Sequence, residues 1–483
     1  MSPSSITPIT SAGRIQTIDI IRGFALLGII IINFTADSSG LSPIAGQTGF
    51  GDHVIYWTIR SLIDDRFQTI YCFLFGLGFA IQMQRAVEKN APFTFIFLRR
   101  MLALFVIGCA FHIFFTWSYT VLPFYAIIGI WLLLFRAVPM KFLPLLAVFF
   151  FVLPFTIGTI TKINATSEIK TEIKKSIAVD TRVMDKYAGV FQVAENIKII
   201  FFRKGDSLIG ETRSEHLSLT PLSDSQFFSK NINFQFTFMK DASGDVKKVK
   251  AVNVSGGFSG VFTRIHEDLQ VEGEYEVGYI LVLFILGLYA GRKKIFYNVA
   301  ANKQFLQKTF KWGLIVGAPP VLFRVGVEMW SEFNGIKAWQ AWQNYSAMTN
   351  AMINIVWNIG IIVVAMAYIA GLTLLLENEV WKKRPSFFGT VGRLGLTNFG
   401  LHLFAYLVIF ENVDLFLGMQ GKVGHVYRLL IAILVYVLLY FFSRWWLARY
   451  QFGPFEWIWR SMTYWKWQPV KKKETAELQV TVI

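Results

Sequence analysis

RIQTIDIIRGFALLGIIIINF, Arg14 to Phe34, decides the fold. The stretch is long and apolar enough to cross a bilayer, with three polar interruptions: Asp19, Arg22 and Asn33. About three helical turns separate Arg22 from Asn33, so Asn33 lies roughly 16 Å further along the helix. A charge inside hydrocarbon costs roughly 2.5–3.5 kcal/mol on insertion scales. Asp19 and Arg22 therefore either snorkel at the mouth of the span or carry a function.

The whole chain extends that reading. Its 483 residues are 54% hydrophobic, and its mean hydropathy of +0.47 excludes an ordinary soluble domain. The net charge of +16 does not mark a nucleic-acid binder, because the Lys and Arg residues sit in short loops beside apolar runs. Cys72 and Cys109 both fall in apolar segments, with neither disulfide nor metal spacing. Arg22 interrupts the first run and no small-x-small cleavage site follows, so the N-terminus reads as an uncleaved signal anchor.

Apolar runs near 18–36, 67–84, 95–115, 119–136, 142–162, 277–292, 305–329, 346–376, 387–410 and 426–447 give about ten membrane helices. Basic residues fall in alternate connections: Arg14, Arg85 to Arg100, Arg136 and Lys141, Arg292 to Lys294, Lys382 to Arg384, and Arg444 onward. This alternation predicts a multi-pass cell (inner) membrane protein with both termini in the cytoplasm. Trp57, Trp117, Trp330, Trp339 and Trp342 suit an interfacial belt at the outer ends. Asp64, Asp65 and Arg66 read as a solvated start to the second span. The fold class is an all-α polytopic membrane protein with a small extracytoplasmic antiparallel β insert. Its parts are a five-span bundle over 1–163, the insert over 164–276, a second five-span domain over 277–470, and a cytoplasmic tail over 471–483.

Within the insert, Ala165 to Asn196 reads helical and charged. Ile232, Phe234, Phe236 and Phe238 then alternate with polar residues as a half-buried strand, and Lys247 to Val254 returns. Leu217 to Leu219 reads as an earlier strand. The region Leu208 to Ile265 resembles the small strand-rich domain that trails some serine β-lactamase-like hydrolases, without a nucleophile motif.

Four spans carry polar groups. His112 stands roughly 18 Å along the third span from Arg100, at a depth comparable with Asn33. Thr397, Asn398 and His402 follow Gly392-Arg393 in the ninth. Asn350, Asn354 and Asn358 share one face of the eighth at i, i+4, i+8. These groups either bond helix to helix or line a wet path. A neutral imidazole at His112 could act as a general base on an external hydroxyl. Arg324 and Glu328 read as an i, i+4 ion pair. Arg22, Arg99 and Arg100 could hold phosphates at the inner mouth; topology marking is the other reading of Arg99 and Arg100.

Five stretches resemble the YeiB family, membrane proteins whose C-terminal half is the domain of unknown function 418. They are IDIIRGFALLGIIIINF (18–34), FQTIYCFLFGLGFAIQMQR (67–85), RRMLALFVIGCAFHIFF (99–115), VGRLGLTNFGLHLF (391–404) and FGPFEWIWRSMTYWKWQPV (452–470). The last, with its embedded Gly-Pro-x-Glu-Trp, is the most specific. The chain departs from the family at Thr120, where an aspartate is usual, at His402, where glutamine is usual, and in the β insert. The first span is also similar to a wider group of transmembrane acyltransferases, including the lysosomal heparan N-acetyltransferase and sugar O-acyltransferases. That resemblance implies donor-side roles for Asp19 and Arg22 and an acceptor-side role for His112. Asn33 or an Asn of the eighth span could donate to the oxyanion, and His402 could supply a substitute base. The expected activity moves an acyl group from a cytoplasmic acyl-CoA, a substrate and not a bound cofactor, to an extracytoplasmic glycan, lipid or small-molecule acceptor. The alternative is a transporter of a small polar or lipid-linked solute through the bilayer, with the Asn stripe lining its path. Neither reading involves metal or nucleic acid.

Overall fold

The computed structural model describes residues 15–35, 49–114, 121–157, 181–194, 197–204, 207–211, 216–230, 232–241, 245–254, 259–264, 274–334, 347–378, 381, 386–410, 417, 419 and 423–471. The expected features at Arg14, Trp117, Thr120, 165–180, 195–196, Trp339, Trp342 and 382–384 lie outside these residues.

The first bundle contains α1 (Gln16–Thr35), α2 (Phe50–Leu62), α3 (Arg66–Glu88), α4 (Phe93–Phe114), α5 (Leu122–Ile130), α6 (Leu132–Phe135) and α7 (Met140–Ile157). A short helix, α8 (Thr181–Tyr187), leads into the β insert. The second bundle contains α9 (Glu274–Arg292), α10 (Lys303–Phe333), α11 (Ala347–Leu375), α12 (Ser386–Arg393), α13 (Gly395–Phe410), α14 (His425–Arg449) and α15 (Pro454–Tyr464). Among the described residues seven helical segments are long and apolar enough to cross a membrane. α12 and α13, bent by 89°, make an eighth if the pair is one span. Leu122–Phe135 and Val277–Arg292 are apolar but shorter, so seven or eight of the ten expected spans meet the length and hydropathy of a crossing. The chain is a multi-pass membrane protein.

In lipid the apolar effect does not drive helices together, so small residues set their approach. A Cβ at Gly23 of α1 would stand 1.9 Å from the Phe388 carbonyl oxygen of α12, and one at Gly392 would stand 1.9 Å from the Asp19 oxygen. The two backbones touch reciprocally. α3 and α9 meet in the same way through Gly76 and Gly287, each 2.0 Å from the opposite carbonyl oxygen. Gly28 admits the ring of Phe67, whereas Gly78 faces open space.

The α2–α3 turn overturns the solvated-start reading for Arg66, while Asp64 is half-buried and Asp65 exposed. Arg66 is fully buried, because Phe50–Glu88 is one apolar stretch of 39 residues with the turn inside it. Phe67 packs at Gly28, seven residues before the end of α1, so the turn sits about 10 Å short of that end. Trp57 is likewise buried, against Val321, Val325 and Trp357, and is no interfacial anchor.

The insert is a closed antiparallel barrel of eight strands: β1 (Gly189–Ala194), β2 (Ile197–Lys204), β3 (Ser207–Glu211), β4 (His216–Pro221), β5 (Gln226–Ser229), β6 (Phe234–Lys240), β7 (Val246–Asn253) and β8 (Ser259–Arg264). Each strand pairs with the next, and β1 pairs with β8. Gly189 to Ala194, expected to be helical, is a strand: Val190, Phe191 and Val193 favour a pleated surface, and β2 and β8 supply the partners. Phe191, Phe201, Phe227, Phe236 and Phe238 fill the interior, and Tyr187 of α8 stacks on Phe238 at 4.4 Å. Eight strands enclose space for side chains alone, so this barrel has a packed core.

Gly392→Val is expected to destabilise the protein by more than the usual 1–3 kcal/mol of overpacking, because backbone and not a flexible side chain stands in the way. Gly78→Ala should be tolerated. Thermal unfolding of both variants in detergent checks the contrast.

Candidate active site at a broken helix

The bend between α12 and α13 falls at Leu394. A helix that begins inside a membrane exposes its first amides where no water answers them. Glu456 of α15 answers them here. Its Oε1 accepts from the backbone N–H groups of Leu396 at 2.6 Å and Thr397 at 3.0 Å, and its Oε2 accepts from the Thr397 hydroxyl. The Phe455 N–H donates to Thr397 Oγ1 at 3.2 Å. A carboxylate at a helix N-terminus also complements the helix dipole. This is the physical role of the Gly-Pro-Phe-Glu-Trp run. Gly453 caps α15 and Pro454 occupies its first turn, where a missing N–H costs nothing.

α15 is pinned along α4. The Trp459 indole donates to the Arg100 carbonyl at 3.0 Å, and the Arg100 guanidinium lies 3.8 Å over the Trp459 ring. Arg99 is exposed and lies 5.8 Å from the Trp465 ring centre. Arg100, Arg460 and Arg22 are close enough to act on one another electrostatically. Arg22 donates to Asp19 at 2.9 Å, and its Nη1 stands 3.5 Å from the Gly392 carbonyl. Asp19 and Arg22 therefore lie beside the break, with Arg100, Arg460, Glu456 and Tyr71 near them. Arg393 Nε, at the end of α12, is buried without a hydrogen-bond partner among the described residues.

Further along α1, Asn33 Nδ2 and His402 Nε2 are 2.9 Å apart. His402 is fully buried with Phe399 edge-on at 5.0 Å, and its Nδ1 makes no well-formed hydrogen bond among the described residues. Asn33 Nδ2 can only donate, so as placed Nε2 accepts and the ring proton lies on Nδ1; the Nε2–H tautomer is held only with the amide turned so that Oδ1 accepts. His112 is exposed on α4, and the preceding Phe111 is buried against Phe399 and Phe455. In the eighth-span stripe Asn354 Oδ1 accepts from Arg324 of α10 at 3.0 Å and joins the two helices, whereas the Asn358 side-chain amide donates back to the Asn354 carbonyl within α11. Asn350 lies in α11, and its side chain is outside the described set.

A second polar cluster escaped sequence reasoning. Arg324 pairs with Glu328 at 3.0 Å as expected, but Arg60 reaches the same carboxylate at 3.2 Å and also pairs with Asp64. Arg60, Arg66 and Arg324 surround the Trp357 ring at 5.5, 5.3 and 4.7 Å. The signal was the length of the apolar stretch on both sides of Asp64 to Arg66.

Glu456→Ala leaves two amides and a hydroxyl unanswered, with an expected cost of about 1–3 kcal/mol for each buried group. Glu456→Gln keeps an amide oxygen for both N–H groups and should retain most of the stability. Unfolding temperatures of the two variants separate the roles; an unchanged Glu456→Ala protein would remove the cap from the picture.

Comparison with known proteins places these features. Residues 290–466 match the family described as protein of unknown function (DUF418), and residues 14–180 match the catalytic domain of heparan-alpha-glucosaminide N-acetyltransferase. The uncharacterized protein YxaH of Bacillus subtilis (strain 168) is 25% identical, over 97% of this chain and 99% of its own. An uncharacterized 39.9 kDa protein in the amylase 3' region of Bacillus acidopullulyticus is 24% identical over the same shares. No solved structure matches. The chain carries a DUF418 domain behind an acyltransferase-like N-terminal domain, a pairing consistent with a YeiB-like membrane protein.

Proposed function

We propose that the protein moves an acyl group from a cytoplasmic acyl-CoA-type donor to a hydroxyl or amine acceptor on the opposite side of the membrane. The N-terminal match supports an acetyltransferase-like chemistry. The alternation of basic connections supports a cytoplasmic Gln16 end of α1 and an extracytoplasmic barrel. One observation carries the reading. α1 meets the same broken crossing twice, through Arg22 at Gly392 and through Asn33 at His402. A cationic mouth and a fixed imidazole thus share one helix pair, about 16 Å apart along α1.

In this reading Arg22, Arg100 and Arg460 bind the donor's phosphates as charge-assisted pairs. Arg99, exposed on the outer face of α4, contributes general attraction. His402 Nδ1 takes the proton from the acceptor as its oxygen or nitrogen attacks the thioester carbonyl, with the Asn33 amide turned so that its Oδ1 accepts from Nε2–H and holds the ring. His112 makes the acceptor-side contact; the Asn33 bond moves the base role expected of it to His402. When the C–S bond breaks, the imidazolium returns its proton to the leaving thiolate.

The bent crossing also favours the transporter alternative, since broken helices near the midplane are common in transporters. In those proteins a free half-helix N-terminus receives the solute. Here Glu456 occupies it.

His402→Ala is expected to lower acyl transfer by about 10²- to 10⁴-fold in a protein that still purifies as a single species. Asn33→Ala should give a smaller loss, and His112→Ala a raised KM for the acceptor. Full activity in His402→Ala ends the assignment. Solute uptake by vesicles that contain the protein and no acyl donor would favour the transporter.

A further inference from the structure

α15 ends in a conformation that its sequence does not favour. Trp465 follows the last helical residue with φ 51°, in the left-handed region. The Lys466 N–H donates to the Ser461 carbonyl at 3.2 Å, and the Trp465 N–H to the Met462 carbonyl at 3.4 Å. That is a Schellman turn, whose left-handed position is usually glycine because a side chain there is strained. A bulky aromatic at such a position is uncommon. Burial of the ring does not offset the strain, because Trp465 is 74% exposed, as is Trp467.

The return that carries these rings is firmly held. The Gln468 N–H donates to Ser461 Oγ at 3.3 Å, the Trp457 indole to the Gln468 carbonyl at 2.8 Å, and the Gln451 N–H to the Val470 carbonyl at 2.9 Å. Tyr450 and Lys471 form an antiparallel bridge. Its place is the end of two spans. α14 runs out at Arg449, immediately before that bridge. α4 lies alongside, with Arg99 5.8 Å from the Trp465 ring centre. Tryptophan collects at this level of a bilayer, where an apolar ring with one polar N–H meets the headgroups. The charge around the rings has one sign. From Arg444 to Lys473 the chain carries seven basic residues and one acidic residue, Glu456, whose oxygens are held by the α13 cap. Arg99, Arg449, Lys466 and Lys471 are exposed. Basic side chains beside span ends attract anionic headgroups within a Debye length. Topology marking alone needs neither the exposed rings nor a left-handed Trp465.

We infer that the return 465–471 is a membrane-surface site for anionic phospholipid. Trp465 and Trp467 enter the interface, while Lys466, Lys471 and Arg99 meet the headgroup phosphates. α15 carries Glu456 at its other end, so lipid held at the return steadies the cap at the break. The inference stands apart from the acyl-transfer reading.

Purified full-length protein in an uncharged detergent is titrated with phosphatidylglycerol, with phosphatidylcholine and with inorganic phosphate. Unfolding temperature and oligomeric state are followed. Phosphatidylglycerol is expected to raise Tm with concentration, as linkage requires of a ligand of the folded state, and the rise should shrink in high salt. Phosphatidylcholine and inorganic phosphate should give little. Trp465→Gly accepts the left-handed turn without strain, so without lipid it should unfold at the wild-type temperature or above. Joined with Lys466→Gln and Lys471→Gln, it should lose most of the phosphatidylglycerol rise. No rise in the wild type, an equal rise with phosphatidylcholine or inorganic phosphate, or a full rise in the triple variant overturns the site. A triple variant with altered oligomeric state and an unchanged lipid response overturns it in favour of a second copy of the chain on this patch.

Discussion

A helix that starts inside a membrane cannot leave its first amides bare. That constraint organises this molecule. The crossing built from α12 and α13 bends by 89°, and Glu456 supplies the acceptors that the bend exposes. To deliver that carboxylate the chain must turn back after α14 and thread α15 against α4. The aromatic stitching of Trp457, Trp459 and Trp467 follows from the same need: Trp459 fastens α15 to Arg100, and Trp457 stacks on Trp467 at 5.0 Å to close the return. A carboxylate in low dielectric is tolerable only with its lone pairs occupied, and three hydrogen bonds achieve that here.

The break makes chemistry possible because it places different ends of α1 beside different parts of one crossing. The backbone contact through Gly23 and Gly392 holds α1 so close to α12 that Arg22 can reach only around the bend. The same contact sets the register that brings Asn33 to His402.

Apolar run length made most of the spans legible, and Asp19, Arg22 and Asn33 stood out as the polar groups of α1, the same groups that meet the bent pair in the fold. The β alternation of Phe234 to Phe238 was equally plain. Other features were illegible for stated physical reasons. Asn33 and His402 are 369 residues apart, and nothing local pairs them. Arg66 looked solvated because charges commonly open helices; only the turn against Gly28 shows it buried. Gly189 to Ala194 follows a charged helical segment, and its strand character depends on partners at Phe201 and Arg264. The terminal Glu456 was visible as part of a specific motif, but its role needed the amides of Leu396 and Thr397, 60 and 59 residues away.

The most direct measurement is the position of a bound donor. A coenzyme A thioester with a photoreactive acyl group is activated on the purified protein, and the labelled peptides are identified. Labelling on α1 around Asn33 and on α13 around His402, suppressed by excess acetyl-CoA, is the expected result. Labelling confined to the Trp357 cluster, or none that acetyl-CoA suppresses, would contradict a donor site at the broken helix.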